Sequence, residues 1–277
     1  MYELKEDKLQ LNHGSINKGI IAVASGKGGV GKSTVTVNLA ASFKNLDNTV
    51  GIIDADIHGF SIPRIIGLKE KPQPLNEKEI NPPEADGIKI MSMGSFVAEE
   101  DPVIWRAPLL LGALQQFMQD VHWGKLDYLL LDLPPGTGDM ALNIMQKLPH
   151  AQILVVTTPQ ITATSVAGRI ARAAEKLNID VTGVIENMSY YQCPDCGRKE
   201  YIFGQGGGQK LADQLDTKLL GELPLLPEVR KGGDQGLPVV DNQPDLNISR
   251  NYNKIAERIV QFQKKFDPDK QAVKPEA

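Results

Sequence analysis

The stretch GKGGVGKS, residues 26–33, fits the pattern G-x-x-x-x-G-K-[ST] of a loop that wraps a phosphate chain. Its flanks supply the context such a loop needs. The run GIIAVAS (19–25) before it is short, apolar and reads as a buried strand. The segment 32–44 after it carries Val35, Leu39, Ala40 and Phe43 at helical spacing. Glycines let the backbone approach phosphate closely and aim N–H groups inward, and the helix N-terminus adds a favourable field. In this reading Lys32 neutralises β/γ-phosphate charge and the Ser33 hydroxyl ligates Mg²⁺. Gly26, Lys27, Gly28, Gly29, Val30, Gly31, Lys32, Ser33 and Thr34 form the cradle, and the expected ligand is ATP with Mg²⁺. A glycine-rich turn that merely joins strand to helix is the bland alternative, and the full motif in its context disfavours it.

Beyond this loop and helix, VGIID (50–54), 88–93, DYLLLDL (127–133), ILVVT (153–157), 181–185 and 219–223 read as further buried strands. Helical periodicity runs over 107–121, with Leu110, Leu114, Phe117 and Met118 on one face. It recurs over 162–177, with Val166, Ile170, Ala174 and Leu177 inward, and over 251–266. Buried strands alternating with amphipathic helices predict an α/β fold: a single doubly wound, mostly parallel sheet with helices on both faces. Ligands bind such sheets beyond the carboxyl ends of the strands. The expected division is a flexible lead-in at 1–18, a P-loop ATPase domain at 19–266 and a disordered tail at 267–277, which is rich in proline and charge.

Hydrophobic residues make up 41% and charged residues 23%, an ordinary balance for a globular chain. The net charge of −4 argues against wholesale binding of nucleic acid or an acidic membrane. No apolar run approaches the ~18 residues that read as a bilayer span. The polar N-terminus MYELKEDKLQLNHG lacks the apolar core of a signal peptide. A cytoplasmic protein with neither nucleic acid nor membrane as partner is expected.

Two acidic strand ends fit the phosphate site. Asp54 and Asp56 follow the second strand, and Asp132 closes the apolar run YLLLD, where a carboxylate holds Mg²⁺ or its waters. After it, LPPGTGD (133–139) suits a switch that senses the γ-phosphate. A lone aspartate at a strand end is commonly a turn or helix cap; three motifs in the right order make a site the stronger reading. Asn187 lies just past the strand 181–185, and 223–227 (LPLLP) is a candidate wall of a base pocket. His58 reads as a wall or surface residue, and the remaining histidines show no pattern.

The only cysteines are Cys193 and Cys196, spaced C-x-x-C. The pair suits a metal or cluster, a redox dithiol or a structural turn. A tetrahedral zinc or an iron–sulfur centre wants four ligands, and one chain supplies two thiolates. Two copies around a two-fold axis would supply four.

Lys27, giving K-G-G-V-G-K-S, resembles the deviant Walker A family of partitioning and septum-site ATPases and the nitrogenase iron protein. That resemblance implies a nucleotide-sandwich homodimer in which Lys27 reaches the partner's nucleotide. It also implies that Asp56 orients the attacking water, that Asp54 supports the Mg²⁺ shell with Ser33 and Asp132, and that Asn187 reads the adenine edge. The longer words at 103–139, at 186–208 (ENMSYYQCPDCGRKEYIFGQGGG) and at 219–240 resemble the Mrp-type, ApbC-like ATPases that carry iron–sulfur clusters. They imply a [4Fe–4S] cluster bridging two subunits through Cys193 and Cys196. They further imply an ATP cycle that gates cluster binding or release, with apo iron–sulfur proteins and cluster scaffold proteins as partners. Phe60, Ala107 and Ser165 depart from that family's usual residues, and none is a proposed ligand. A positioning ATPase acting on DNA or membrane is the alternative reading.

Overall fold

The computed structural model describes residues 11–56, 59–96, 107–136, 139–148, 151–160, 174 and 179–262. His58, Thr137, Gly138, Ser165 and, apart from Ala174, the expected helix at 162–177 lie outside them.

Eight strands build one sheet: β1 (Gly14–Ser25), β2 (Val50–Asp54), β3 (Glu84–Ala85), β4 (Ile88–Ser92), β5 (Gly124–Asp132), β6 (Ala151–Thr157), β7 (Val181–Glu186) and β8 (Leu219–Glu222). Their order is β8-β7-β6-β1-β5-β2-β4-β3. Every pairing is parallel except the antiparallel edge pair of β3 with β4. The chain is therefore a mostly parallel α/β sheet, as its alternating pattern predicted. The described helices of eight residues or more are α1 (Lys32–Asn45), α2 (Ala107–Gln119), α3 (Asp139–Lys147), α4 (Gly207–Gln214), α5 (Pro227–Gln235) and α6 (Asn247–Phe262).

The period of two in a strand splits the core between the faces. Ile20, Ala22 and Ala24 of β1 pack with Leu129 and Leu131 under Leu110, Leu114 and Phe117 of α2 and Ile144 of α3. Ile21 and Val23 turn the other way, with Leu130, Leu154 and Val156, under Val35, Leu39 and Phe43 of α1 and Tyr252, Ile255 and Ile259 of α6. Each such side chain, once fully buried, contributes about 1.5–3 kcal/mol. Phe43 stacks on Tyr128 with ring centroids 4.5 Å apart. Buried Trp123 donates its Nε1–H to the Phe117 carbonyl at 2.8 Å, so its polar atom is satisfied.

Among the departures from the expected bounds, three have a clear physical cause. β1 begins at Gly14 rather than at 19, because the polar stretch 14–18 still pairs with β5, Gly14 opposite Gly124 and Ile16 opposite Leu126. Residues 14–18 of the expected lead-in thus belong to the sheet. The charged segment 69–86, read as loop, holds a two-residue ribbon of Gln73–Pro74 with Ile80–Asn81 and then β3. β3 joins β4 through Asp86 and Gly87, both at positive φ (49° and 75°), the backbone of a type I′ hairpin turn. α6 begins at Asn247, four residues before the expected 251, because Ile248 already lies in the core with Tyr252, Ile255 and Ile259.

Among the described residues no helix is long and apolar enough to cross a membrane.

Candidate functional site

The carboxyl ends of β1, β2 and β5 meet at one place. Parallel register sets Asp132 beside Val23 of β1 and directly opposite Asp54 of β2, while Asp54 faces Ser92 of β4 on its other side. From the end of β1 the loop 26–31 runs into α1. Gly31 sits at φ 81°, and no side chain caps the helix behind it, so its first N–H groups point to where an anion would lie. Gly31 is required twice over. Its φ is left-handed, and a Cβ there would fall 2.4 Å from Asn187 Nδ2.

Lys32 is 5% exposed, with Nζ 2.8 Å from Asp132 Oδ1 and 3.5 Å from Asp56 Oδ2. Neither contact has hydrogen-bond angles, leaving a buried ammonium whose donors are unsatisfied. Such a group is costly unless a ligand answers it, and phosphate oxygens fit. Ser33 Oγ donates to Asp132 Oδ2 at 2.5 Å. Thr36 Oγ1 lies 3.0 Å from both Asp132 Oδ1 and the Lys32 carbonyl, its one proton serving either.

Asp54 and Asp132 are both fully buried. Ser92 Oγ donates to Asp54 Oδ2 at 3.1 Å and the Asp56 N–H to Asp54 Oδ1 at 3.3 Å. Burial first, then repulsion from Asp132, pushes the Asp54 carboxyl up to about 8. Burial likewise raises Asp132, against the pull of Lys32. Three carboxylates thus share one lysine. That deficit of positive charge, with a serine hydroxyl among hard oxygens, fits Mg²⁺.

Two cavities adjoin here. One, of about 390 Å³, is lined by 27–34, Asp56 and Pro135. The other, of about 340 Å³, is lined by Asn187, Met188, Pro224, Leu225, Leu226 and Tyr252, and shares Gly31, Thr34, Ser61 and Ile65 with the first. Two adjoining chambers of this size, one against the phosphate loop and one beyond it, suit phosphates and a base. Asn187 lines the second chamber, but its Nδ2 donates to the Val30 carbonyl at 2.8 Å and its backbone N–H to Thr157 O at 2.8 Å. Its amide therefore braces the phosphate loop, a role the sequence did not announce. Met188 beside it holds φ 55°, a strained value at a chamber wall. Lys27 donates to Gln160 Oε1 within the same chain. Phe60, at a position where the resemblance leads one to expect proline, packs so closely on Gly94 that a Cβ there would fall 2.7 Å from it.

Past Asn187 the chain forms a two-residue ribbon, Tyr191–Gln192 against Lys199–Glu200, and the cysteines lie in the turn between. Cys193 N–H donates to Arg198 O and Gly197 N–H to Cys193 O, both at 2.9 Å. Cys193 is half-buried and Cys196 exposed, and both are free thiols. The backbone N–H groups of Cys196 and then Asp195 stabilise the Cys193 thiolate and lower its pKa. The turn thus holds two free thiols three positions apart, one of them already inclined to ionise.

Fold and site together define a P-loop NTPase. The family model described as NUBPL iron-transfer P-loop NTPase matches residues 16–260, and the chain belongs to that family. An iron-sulfur cluster carrier protein of Bacillus subtilis strain 168 is 50% identical over 242 residues, 86% of this chain and 67% of that protein. Its namesake in Mycobacterium leprae is 48% identical over 253 residues, 89% of this chain and 66% of that protein. The chain thus spans about two thirds of the length of these relatives. The namesake in Methanocaldococcus jannaschii is 44% identical, with 93% of this chain and 89% of that protein covered. Among solved structures, a nucleotide-binding protein of Archaeoglobus fulgidus in complex with ADP superposes with a TM-score of 0.70 at 39% identity, covering 79% of this chain and 86% of that one. The septum site-determining protein MinD of Pyrococcus horikoshii with Mg-ADP gives 0.64 at 24% identity over 87% and 95%, a likeness of fold.

Proposed function

We propose that this chain hydrolyses ATP and, as a homodimer, carries an iron–sulfur cluster that it passes to apoproteins. The observation that carries the reading is a hydrogen-bonded path between the two half-sites. Asn187 braces Val30 of the phosphate loop, Ser189 N–H donates to Leu223 O, the chamber-wall residue Leu225 donates its N–H to Tyr190 O, and the Cys193 ribbon begins at Tyr191. A change in how the loop holds phosphate therefore reaches the thiolates through few bonds.

In the nucleotide-bound state Lys32 turns its unsatisfied donors from the carboxylates to the β- and γ-phosphates, and the N–H groups of 28–34 surround the phosphate chain. Ser33, with Asp132 and Asp54 behind it, would hold Mg²⁺, which would supply charge neutralisation at the phosphates. Asp56, less buried than its two neighbours, orients the attacking water. The second chamber, walled by Pro224, Leu225, Leu226 and Tyr252, takes the base, with Asn187 at its edge. Lys27 exchanges Gln160 for the nucleotide of the second copy. Cys193 and Cys196 from both copies complete a four-thiolate site for the cargo, a [4Fe–4S] cluster, on the two-fold axis. Scaffold proteins that load it and apo iron–sulfur proteins that receive it are the partners.

Anaerobic reconstitution with iron and sulfide tests this reading. The expected result is one cluster per two chains, lost in Cys193→Ala/Cys196→Ala while ATP binding persists. A cluster band that survives the double substitution, or a strictly monomeric loaded protein, would overturn it.

A further inference from the structure

At the opposite end of the sheet, three residues far apart in sequence converge. His13 immediately precedes β1, His122 lies two residues before β5, and Glu79 lies in the turn that leads to Ile80–Asn81. His13 Nδ1 is 3.4 Å from Glu79 Oε1, and His122 Nδ1 is 3.8 Å from Glu79 Oε2. All three ligand atoms lie within 4.8 Å of one another. We infer that His13, Glu79 and His122 form a binding site for a divalent transition-metal ion, with zinc as its natural probe.

Distance separates this from a plain hydrogen-bonded cluster. An imidazole N–H on a carboxylate settles at about 2.7–3.2 Å, and both separations are longer. Two ligands of one tetrahedral zinc, at about 2.0–2.2 Å from the metal, lie about 3.3–3.5 Å apart. Of the observed spacings, 3.4 Å falls on that edge and 3.8 Å lies a little beyond it. The imidazoles stack with centroids 5.9 Å apart at 18°, so both present Nδ1 to the same carboxylate. Their backbones are held in place. The Gly124 N–H donates to His13 O at 3.2 Å and the His122 N–H to Ile80 O at 2.8 Å. The Glu79 N–H donates to Asn76 Oδ1 at 2.9 Å, and Glu79 O accepts from Leu75 at 2.8 Å. The third edge, between the two imidazoles, is within 4.8 Å.

Two imidazoles and a carboxylate select zinc and its neighbours over Mg²⁺ or Ca²⁺, which prefer all-oxygen shells. Side-chain exposures of 31%, 24% and 50% for His13, Glu79 and His122 leave an entry path and a fourth position for water. The ion would pin the first strand to the hairpin before β3. β1 spans twelve residues, so this site stands roughly 35 Å from the phosphate loop by strand rise. Nucleotide binding and cargo loading are therefore separable from it.

The full chain carrying Cys193→Ser/Cys196→Ser removes the thiolates as competitors. Titrated with zinc against a chromophoric chelator, it is expected to hold one equivalent. Cobalt in its place is expected to give tetrahedral visible bands with no thiolate charge transfer. His122→Asn or Glu79→Gln in that background is expected to weaken zinc at least tenfold and to abolish the zinc-induced rise in melting temperature, while melting in EDTA stays that of the parent and shows the fold intact. Zinc retention unchanged by both substitutions, or no zinc held by the cysteine-free chain, overturns the site and leaves a stacked histidine pair beside a carboxylate.

Discussion

Asp54 and Asp132 stand opposite one another on neighbouring parallel strands, both shut away from solvent, with Lys32 ion-paired to only one of them. Such a pair is tolerable while one member keeps its proton or while a cation lies between the strand ends. The site carries a deficit of positive charge, which the proposed Mg-nucleotide would relieve.

The first prediction follows from the sign of that deficit. The folded chain holds the Asp54 proton up to about pH 8, whereas the unfolded chain releases it near 3.8. Between those values the native state binds more protons, so stability without metal falls as pH rises and levels off above about 8. Urea midpoints in EDTA from pH 5 to 8.5 are expected to decline, and Asp54→Asn to flatten the slope. A parent profile no steeper than the variant's would contradict this.

Replacing Lys32 with methionine removes the buried donor aimed at phosphate. ATP turnover is expected to fall by about 10² or more, with the cysteine knuckle still able to bind metal. Steady-state phosphate release alongside iron loading separates the two effects.

At Gly31 an alanine meets a left-handed φ and the Asn187 amide at once. The backbone part costs about 1–2 kcal/mol; the steric part depends on Asn187. Gly31→Ala is expected to weaken nucleotide binding strongly, and adding Asn187→Ala to restore part of the thermal stability. Strict additivity in the double-mutant cycle would show that the two residues do not meet.

Alkylation reads the knuckle. Because backbone N–H groups are the leading cause of the lowered Cys193 pKa, with the Cys196 thiol a lesser one, Cys196→Ser is expected to leave Cys193 reacting at a midpoint below the ordinary thiol value of 9.0. A midpoint at or above 9.0 would assign the effect to the lost thiol instead.

Much of the fold was legible because buried parallel strands are short apolar runs, and the phosphate loop announces itself by glycine and lysine spacing. What stayed hidden depended on partners distant in the chain. The polar start of β1 is strand only because β5 lies beside it, and the Asp86–Gly87 turn was masked by the charges around it. The bracing of Val30 by Asn187 spans 157 residues. His13, Glu79 and His122 show no spacing at all, since the turns that assemble them leave no periodic trace.

The ribbon beneath the cysteines has one further consequence. With two paired residues on each side it is far shorter than an arm that stands alone in water. In the function proposed above, an ion or cluster gripped by the sulfurs would become the keystone of that arm, so an empty chain and a laden one would differ in shape at the tip, and a recipient could tell them apart by touch.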